Sequence, residues 1–167
     1  MDGNNEYYKQ VQLLISVLPL VANEKCFALK GGTAINLFIR DFPRLSVDID
    51  LVYLPMDDRD TALANITAGL NRIADSILAA VPGTQIQKSF ESRADALRLI
   101  VKRGDVQIKI ELSPVLRGSV FPEEMREVSG KVEEQFGYVE MQMLSIPVVN
   151  PHFRVHVESE SFRHRAV

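Results

Sequence analysis

Two aspartates two residues apart, Asp48 and Asp50, lie in the run SVDIDLVYL. Residues there alternate strictly, with Val47, Ile49 and Leu51 on one face of an extended chain and Ser46, Asp48 and Asp50 on the other. At ~3.3 Å of rise per residue the two carboxylates project about 7 Å apart from the same face, close enough to serve one site. The later run VQIKIEL alternates in the same way, with Val106, Ile108, Ile110 and Leu112 toward a core and Gln107, Lys109 and Glu111 away from it. If the two strands lie side by side, three carboxylates converge. Carboxylates so gathered raise one another's pKa unless a cation neutralises them. Hard oxygen donors suit Mg²⁺ or Mn²⁺, which bind through one or two carboxylates together with water and substrate phosphates. Two such ions activate an attacking hydroxyl and stabilise a departing pyrophosphate.

The glycine pair Gly31-Gly32 supplies the other half of such a site. Without side chains, both residues allow a phosphate to approach the backbone closely, and Thr33 is suited to cap a following helix whose first amides point outward. An anion cradle and a set of metal-binding acids would then flank a nucleoside triphosphate from two sides. Taken singly, an aspartate pair on an amphipathic strand is a solvated face and a Gly-Gly step is a turn. Their order along the chain is what links them.

These residues need elements to position them. Tyr8, Val11, Leu14, Ile15 and Leu18 recur at helical spacing and predict an amphipathic helix from about Glu6 to Asn23. A short strand over Phe27 to Lys30 leads into the glycine turn, and a second helix over TAINLFIRD is stopped by Pro43. After the acidic strand, Leu63, Ile66, Leu70, Ile73, Ile77 and Leu78 predict a long helix from about Arg59 to Ala80, ended by Pro82-Gly83. Strands are expected over Thr84–Phe90, Ala96–Lys102 and Val106–Leu112, the last two joined by the tight Arg103-Gly104-Asp105 turn. Two more are expected at Arg126–Glu134 and Tyr138–Ser145. There is no internal repeat and no interdomain linker.

The chain has 167 residues, 46% of them hydrophobic and 25% charged, with a formal net charge of -3. That length supports one core without disulfides or structural metal. The single cysteine, Cys26, lacks an intrachain partner, which fits a reducing compartment. The opening MDGNNEYYKQ is unlike a basic signal peptide, and no apolar run reaches the roughly 20 residues that span a bilayer. The expectation is a cytoplasmic protein away from membranes. The net charge excludes a generic polyanion-coating protein while leaving room for local phosphate-binding patches.

The stretch LKGGTAINLFIRDFPRLSVDIDLVYL, followed by IKIELS, resembles the AbiEii/AbiGii toxin group of nucleotidyltransferases, within the DNA polymerase β-like superfamily. The shared features are the glycine pair, Thr33-Ala34, Arg44, Ser46, the Asp48-Ile49-Asp50 core and Lys109-Ile110-Glu111, in that order. The resemblance implies an α+β fold: a polymerase β-like core with a mixed, mostly antiparallel sheet flanked by helices. It implies that Asp48, Asp50 and Glu111 are catalytic and hold the metal, with Glu111 also able to deprotonate the attacking hydroxyl. Lys30, Gly31, Gly32, Thr33, Ser46 and Lys109 are the implied nucleotide-binding residues. The implied activity is metal-dependent transfer of a nucleotide from a nucleoside triphosphate to a nucleic-acid hydroxyl, tRNA or another RNA. Such an enzyme would be the toxin of a toxin–antitoxin or phage-abortive-infection system, with a cognate antitoxin as partner.

Residues 1–147 are expected to form the nucleotidyltransferase core with its N-terminal helix, and 148–167 an atypical tail. The family normally continues into a helix carrying a lysine, then an arginine and an aspartate. VVNPHFRVHVESESFRHRAV has no such motif and reads as a C-terminal truncation. A second reading follows: a catalytically incomplete nucleotidyltransferase-like module that binds nucleotide or another protein, with an uncovered sheet face favouring a homodimer. A small-molecule nucleotidyltransferase would share the same acids. His152 and His156 sit in an alternating, extended stretch and do not form a metal pair. Cys26 reads as a small core residue. Arg40, Arg44, Arg93, Arg98, Lys102, Arg103 and Lys109 are candidates for phosphate contact.

Overall fold

The structure, a computed structural model, describes residues 6–34, 38, 48–118 and 123–144. Arg40, Arg44, Ser46, most of the expected second helix over TAINLFIRD, the three histidines and the expected tail lie outside the described residues.

The first helix, α1 (Glu6–Ala22), buries Val11, Leu13, Leu14, Ile15, Val17, Leu18 and Val21. Burying each such side chain contributes ~1.5–3 kcal/mol. The set outweighs the ~3 kcal/mol that Pro19 costs inside the helix. Strand β1 (Phe27–Lys30) runs into the short α2 (Gly31–Ala34), which begins at the glycine pair and not at Thr33 as expected. Gly31 has φ +83°, a conformation open to glycine that lets the chain leave β1 directly into the turn. Strand β2 (Ile49–Tyr53) is shorter than the run of alternating residues, and Asp48 stands immediately before it.

The long helix α3 (Arg59–Ala80) starts where Asp58 accepts a hydrogen bond from the Thr61 amide at 2.7 Å. It buries Ala62, Ile66, Gly69, Leu70, Ile73, Ala74 and Ile77, whereas Leu78 is 51% exposed and falls outside the apolar stripe. Strand β3 (Thr84–Lys88), β4 (Arg98–Arg103) and β5 (Val106–Arg117) follow, with a 3₁₀ turn at Ser89–Glu91. Next come β6 (Glu123–Glu127), α4 (Gly130–Phe136) and β7 (Glu140–Leu144). The expected strand over Arg126–Glu134 is therefore corrected to a strand end and a helix. Gly130 begins that helix after Ser129, Val132 is buried, and the helix packs on α1, with the Phe136 ring 4.9 Å from that of Tyr8.

All the strands join one sheet in the order β3-β4-β5-β2-β1-β7-β6. Pairing is antiparallel except for β2 with β5 and β1 with β7. This is the mixed, mostly antiparallel α+β architecture expected from the sequence. Helices α1 and α3 pack on the face that carries Phe27, Leu29, Leu51, Ile110 and Leu99, all buried. Gly69 allows this approach: a β-carbon there would stand 2.8 Å from the Phe27 ring. The opposite face, which alternation assigns to the polar residues, holds the candidate site.

Candidate active site

Register across the sheet decides which of the expected residues meet. Lys30 on β1 is opposite Asp50 on β2, Asp50 is beside Glu111 on β5, and Glu111 is opposite Arg98 on β4. Residues opposite one another share a face, so four side chains form one row across four central strands: ammonium, carboxylate, carboxylate, guanidinium. At the ~4.8 Å spacing of neighbouring strands the row is about 14 Å long. The adjacent carboxylates follow from the parallel pairing of β2 with β5. Like charges side by side destabilise a sheet, and each acid has a basic neighbour on its outer side.

Asp50 sits under the glycine turn. A β-carbon on Gly31 would lie 2.7 Å from Asp50 Oδ2, so that backbone can approach the carboxylate only as glycine. Burial pushes the Asp50 carboxyl above the ordinary carboxylate range; the Lys30 ammonium opposes this, while Glu111 and Asp48 add to it. Asp48 is thus within electrostatic reach of Asp50. Glu111 accepts from Arg98, Nε to Oε1 at 2.9 Å, with the two side chains 34% and 45% exposed respectively. An ion pair so open to water contributes only about 0.2–1 kcal/mol. Lys109 lies two residues before Glu111 on β5 and shares its face.

Among the described residues, no three His, Cys, Asp or Glu side chains are gathered tightly enough to form a ready metal cage. The donor set nevertheless suits a hard divalent cation of the kind bound through one or two carboxylates, with water and substrate phosphate completing the shell. Asp50 and Glu111 are neighbours, Asp48 is close by, and the half-buried Asp50 would be relieved by a positive charge. Nitrogen or sulfur ligands are not part of this row.

Beyond Glu111 the row opens into a cleft of about 300 Å³, lined by Arg93, Asp95, Ala96, Leu97, Arg98, Glu111 and Leu112. Of the basic residues singled out in the sequence, Arg93 and Arg98 meet here. Lys102 and Arg103 lie about 14 and 17 Å farther along β4 at ~3.4 Å per residue. The expected three-residue turn would set Lys102 against Val106 and Arg98 against Ile110; the structure instead closes Arg103 against Val106, and five steps later Arg98 meets Glu111. Cys26, half-buried, has its thiol pushed up by burial and by Glu24, which suits an inert side chain and not a nucleophile.

A protein-family model described as the nucleotidyl transferase AbiEii toxin of type IV toxin–antitoxin systems matches residues 12–150, most of the chain. The chain belongs to the AbiEii family. The match takes in the glycine turn, the acidic strand and Glu111, so the AbiEii domain carries the row described above. Among solved structures it is similar to MenT4, a nucleotidyltransferase toxin from Mycobacterium tuberculosis H37Rv, with TM-score 0.56 and 16% identity over 86% of this chain. At that identity the likeness is one of fold. The chain spans 51% of the length of that toxin. No curated protein matches the sequence. Among the described residues, no helix is long and apolar enough to cross a membrane.

Proposed function

We propose that this AbiEii protein transfers a nucleotide from a nucleoside triphosphate to a hydroxyl of a nucleic acid, tRNA or another RNA, with Mg²⁺ or Mn²⁺ as cofactor. The observation that carries this reading is the side-by-side placement of Asp50 and Glu111 with the Gly31 backbone against Asp50. Asp50, Glu111 and Asp48 would hold the cation, which when bound supplies positive charge to the transferring phosphoryl group and lowers the pKa of a coordinated hydroxyl.

The remaining work falls to the chain. Gly31, Gly32 and Thr33 would receive the terminal phosphates, and Lys30, beside Asp50, neutralises charge that grows on the pyrophosphate. Lys109 and Ser46 are proposed to complete nucleotide binding. The acceptor oxygen forms its bond to the α-phosphorus while the bond from that phosphorus to the α,β-bridging oxygen breaks and pyrophosphate leaves. The hydroxyl proton passes to the Glu111 carboxylate, a general-base role. The family further suggests a cognate antitoxin as partner. Residence in the cytoplasm and a homodimer remain part of the proposal.

Purified protein given an α-labelled nucleoside triphosphate, Mn²⁺ and total RNA is expected to label the RNA. Asp50→Asn and Glu111→Gln should each lower transfer by about 10²-fold or more, on the scale of removing a group that acts in the transition state. Equal transfer by these variants would rule the assignment out.

A second reading is favoured by the Arg98–Glu111 ion pair and by the lack of a preformed three-acid cage among the described residues. In it the module binds nucleotide without turning it over. Calorimetry that finds nucleotide binding, with no transfer to RNA or to small alcohols, would select this reading.

A further inference from the structure

The charges along the row cancel as they stand: Lys30 and Arg98 balance Asp50 and Glu111. The glycine turn lies at the Lys30 and Asp50 end, against Asp50 Oδ2. In an in-line displacement the attacking hydroxyl enters opposite the departing pyrophosphate. If the terminal phosphates lie at the turn, the acceptor must come from the other end of the row. That end is the cleft of about 300 Å³ beyond Glu111, at the small limit of ligand pockets and suited to one terminal unit of a polymer. Both of its arginines already have carboxylate partners, Arg98 with Glu111 at 2.9 Å and Arg93 with Asp95 at 2.6 Å. The cleft is therefore neutral until one of those partners is taken.

We propose that Arg98 is released by the cation: in the cation-free protein it holds Glu111, and when a divalent cation takes Glu111 its guanidinium turns into the cleft and, with Arg93, receives a phosphodiester of the acceptor strand. This rests on the transfer reading in taking a nucleic acid as the acceptor. The Arg98–Glu111 pair is solvent-exposed and weakly held, so a dication can replace it. A guanidinium fork matches the paired oxygens of a phosphodiester. Cation and acceptor then bind with positive coupling, because the first frees the donor that the second needs.

Fluorescence anisotropy of a labelled single-stranded RNA dodecamer, without nucleotide, tests this with chelator and with Mn²⁺. Wild-type protein is expected to bind about tenfold more tightly with Mn²⁺, the scale of one charge-assisted hydrogen bond. Arg98→Gln should lose that gain, and Arg98→Lys should keep only part of it. Arg93→Gln should weaken Mn²⁺-dependent binding and reduce the slope of log affinity against log salt by about 0.7. Lys131→Gln, exposed on α4 beside α1 and away from the cleft, should behave as wild type.

Equal responses to Mn²⁺ in wild type, Arg98→Gln and Arg98→Lys, each shown to be folded by circular dichroism, would overturn the proposal. So would a wild-type protein that ignores the RNA in both conditions, the outcome expected of a small-alcohol acceptor. Transfer is scored separately. Mn²⁺-dependent RNA binding through Arg98 without transfer would sink the transfer reading and leave this one standing. Transfer to RNA with binding unaltered in Arg98→Gln would sink this one alone.

Discussion

Burial raises the Asp50 carboxyl above its ordinary range, against Lys30 and with help from Glu111 and Asp48. An acid whose pKa is raised by folding binds more protons in the native state, so its effect on stability is favourable at low pH and is lost as pH rises through the raised value. At neutral pH Asp50 is thus a destabilising residue retained at the site. Asp50→Asn should raise the thermal midpoint at neutral pH, with the gain fading as pH falls into the carboxylate range; differential scanning calorimetry across pH reads both. Gly31→Ala should act in the opposite direction. A β-carbon at φ +83° costs roughly 1–2 kcal/mol, and the clash with Asp50 Oδ2 displaces the carboxylate. We expect a loss of about 1–3 kcal/mol in urea unfolding. Transfer should fall by ~10²-fold, the effect of about 1 Å of misplacement.

At the scale of elements, Gly69 marks where α3 descends onto β1, and its missing side chain leaves room for the Phe27 ring. Gly69→Leu improves helix propensity by about 1 kcal/mol but forces the helix off the strand. A net destabilisation of about 1–3 kcal/mol is expected by denaturant titration. Local pattern carried most of these elements. The stripe of α3 was readable from Ile66, Leu70, Ile73 and Ile77, and the β4–β5 hairpin from its tight turn. The segment after Ser129 is a helix where the sequence predicts a strand, because in GKVEEQF only Val132 and Phe136 are apolar. That is too little pattern to separate a seven-residue helix from an extended piece until α1 supplies something to pack against.

At the scale of the whole molecule, the site exists only in the folded chain, so a cation that binds it must stabilise the fold. Mn²⁺ at ten times its dissociation constant should add about 1.4 kcal/mol, a rise of ~3–6 °C in the midpoint of a domain this size. Asp50→Asn should lose most of that rise in a thermal shift titration. The amino-acid sequence alone determined the face on which Asp50, Lys109 and Glu111 lie, because side-chain direction alternates within any strand. The tight turn also determined that β4 and β5 pair as a hairpin, but not the register that sets Arg98 opposite Glu111. Only the tertiary structure decided that Asp50 stands beside Glu111 and Lys30 beside Asp50. Those pairings join strands separated by long connections, and no local rule sets the register of segments that meet only when helices α1 and α3 cover one face of the sheet and leave the charged row on the other.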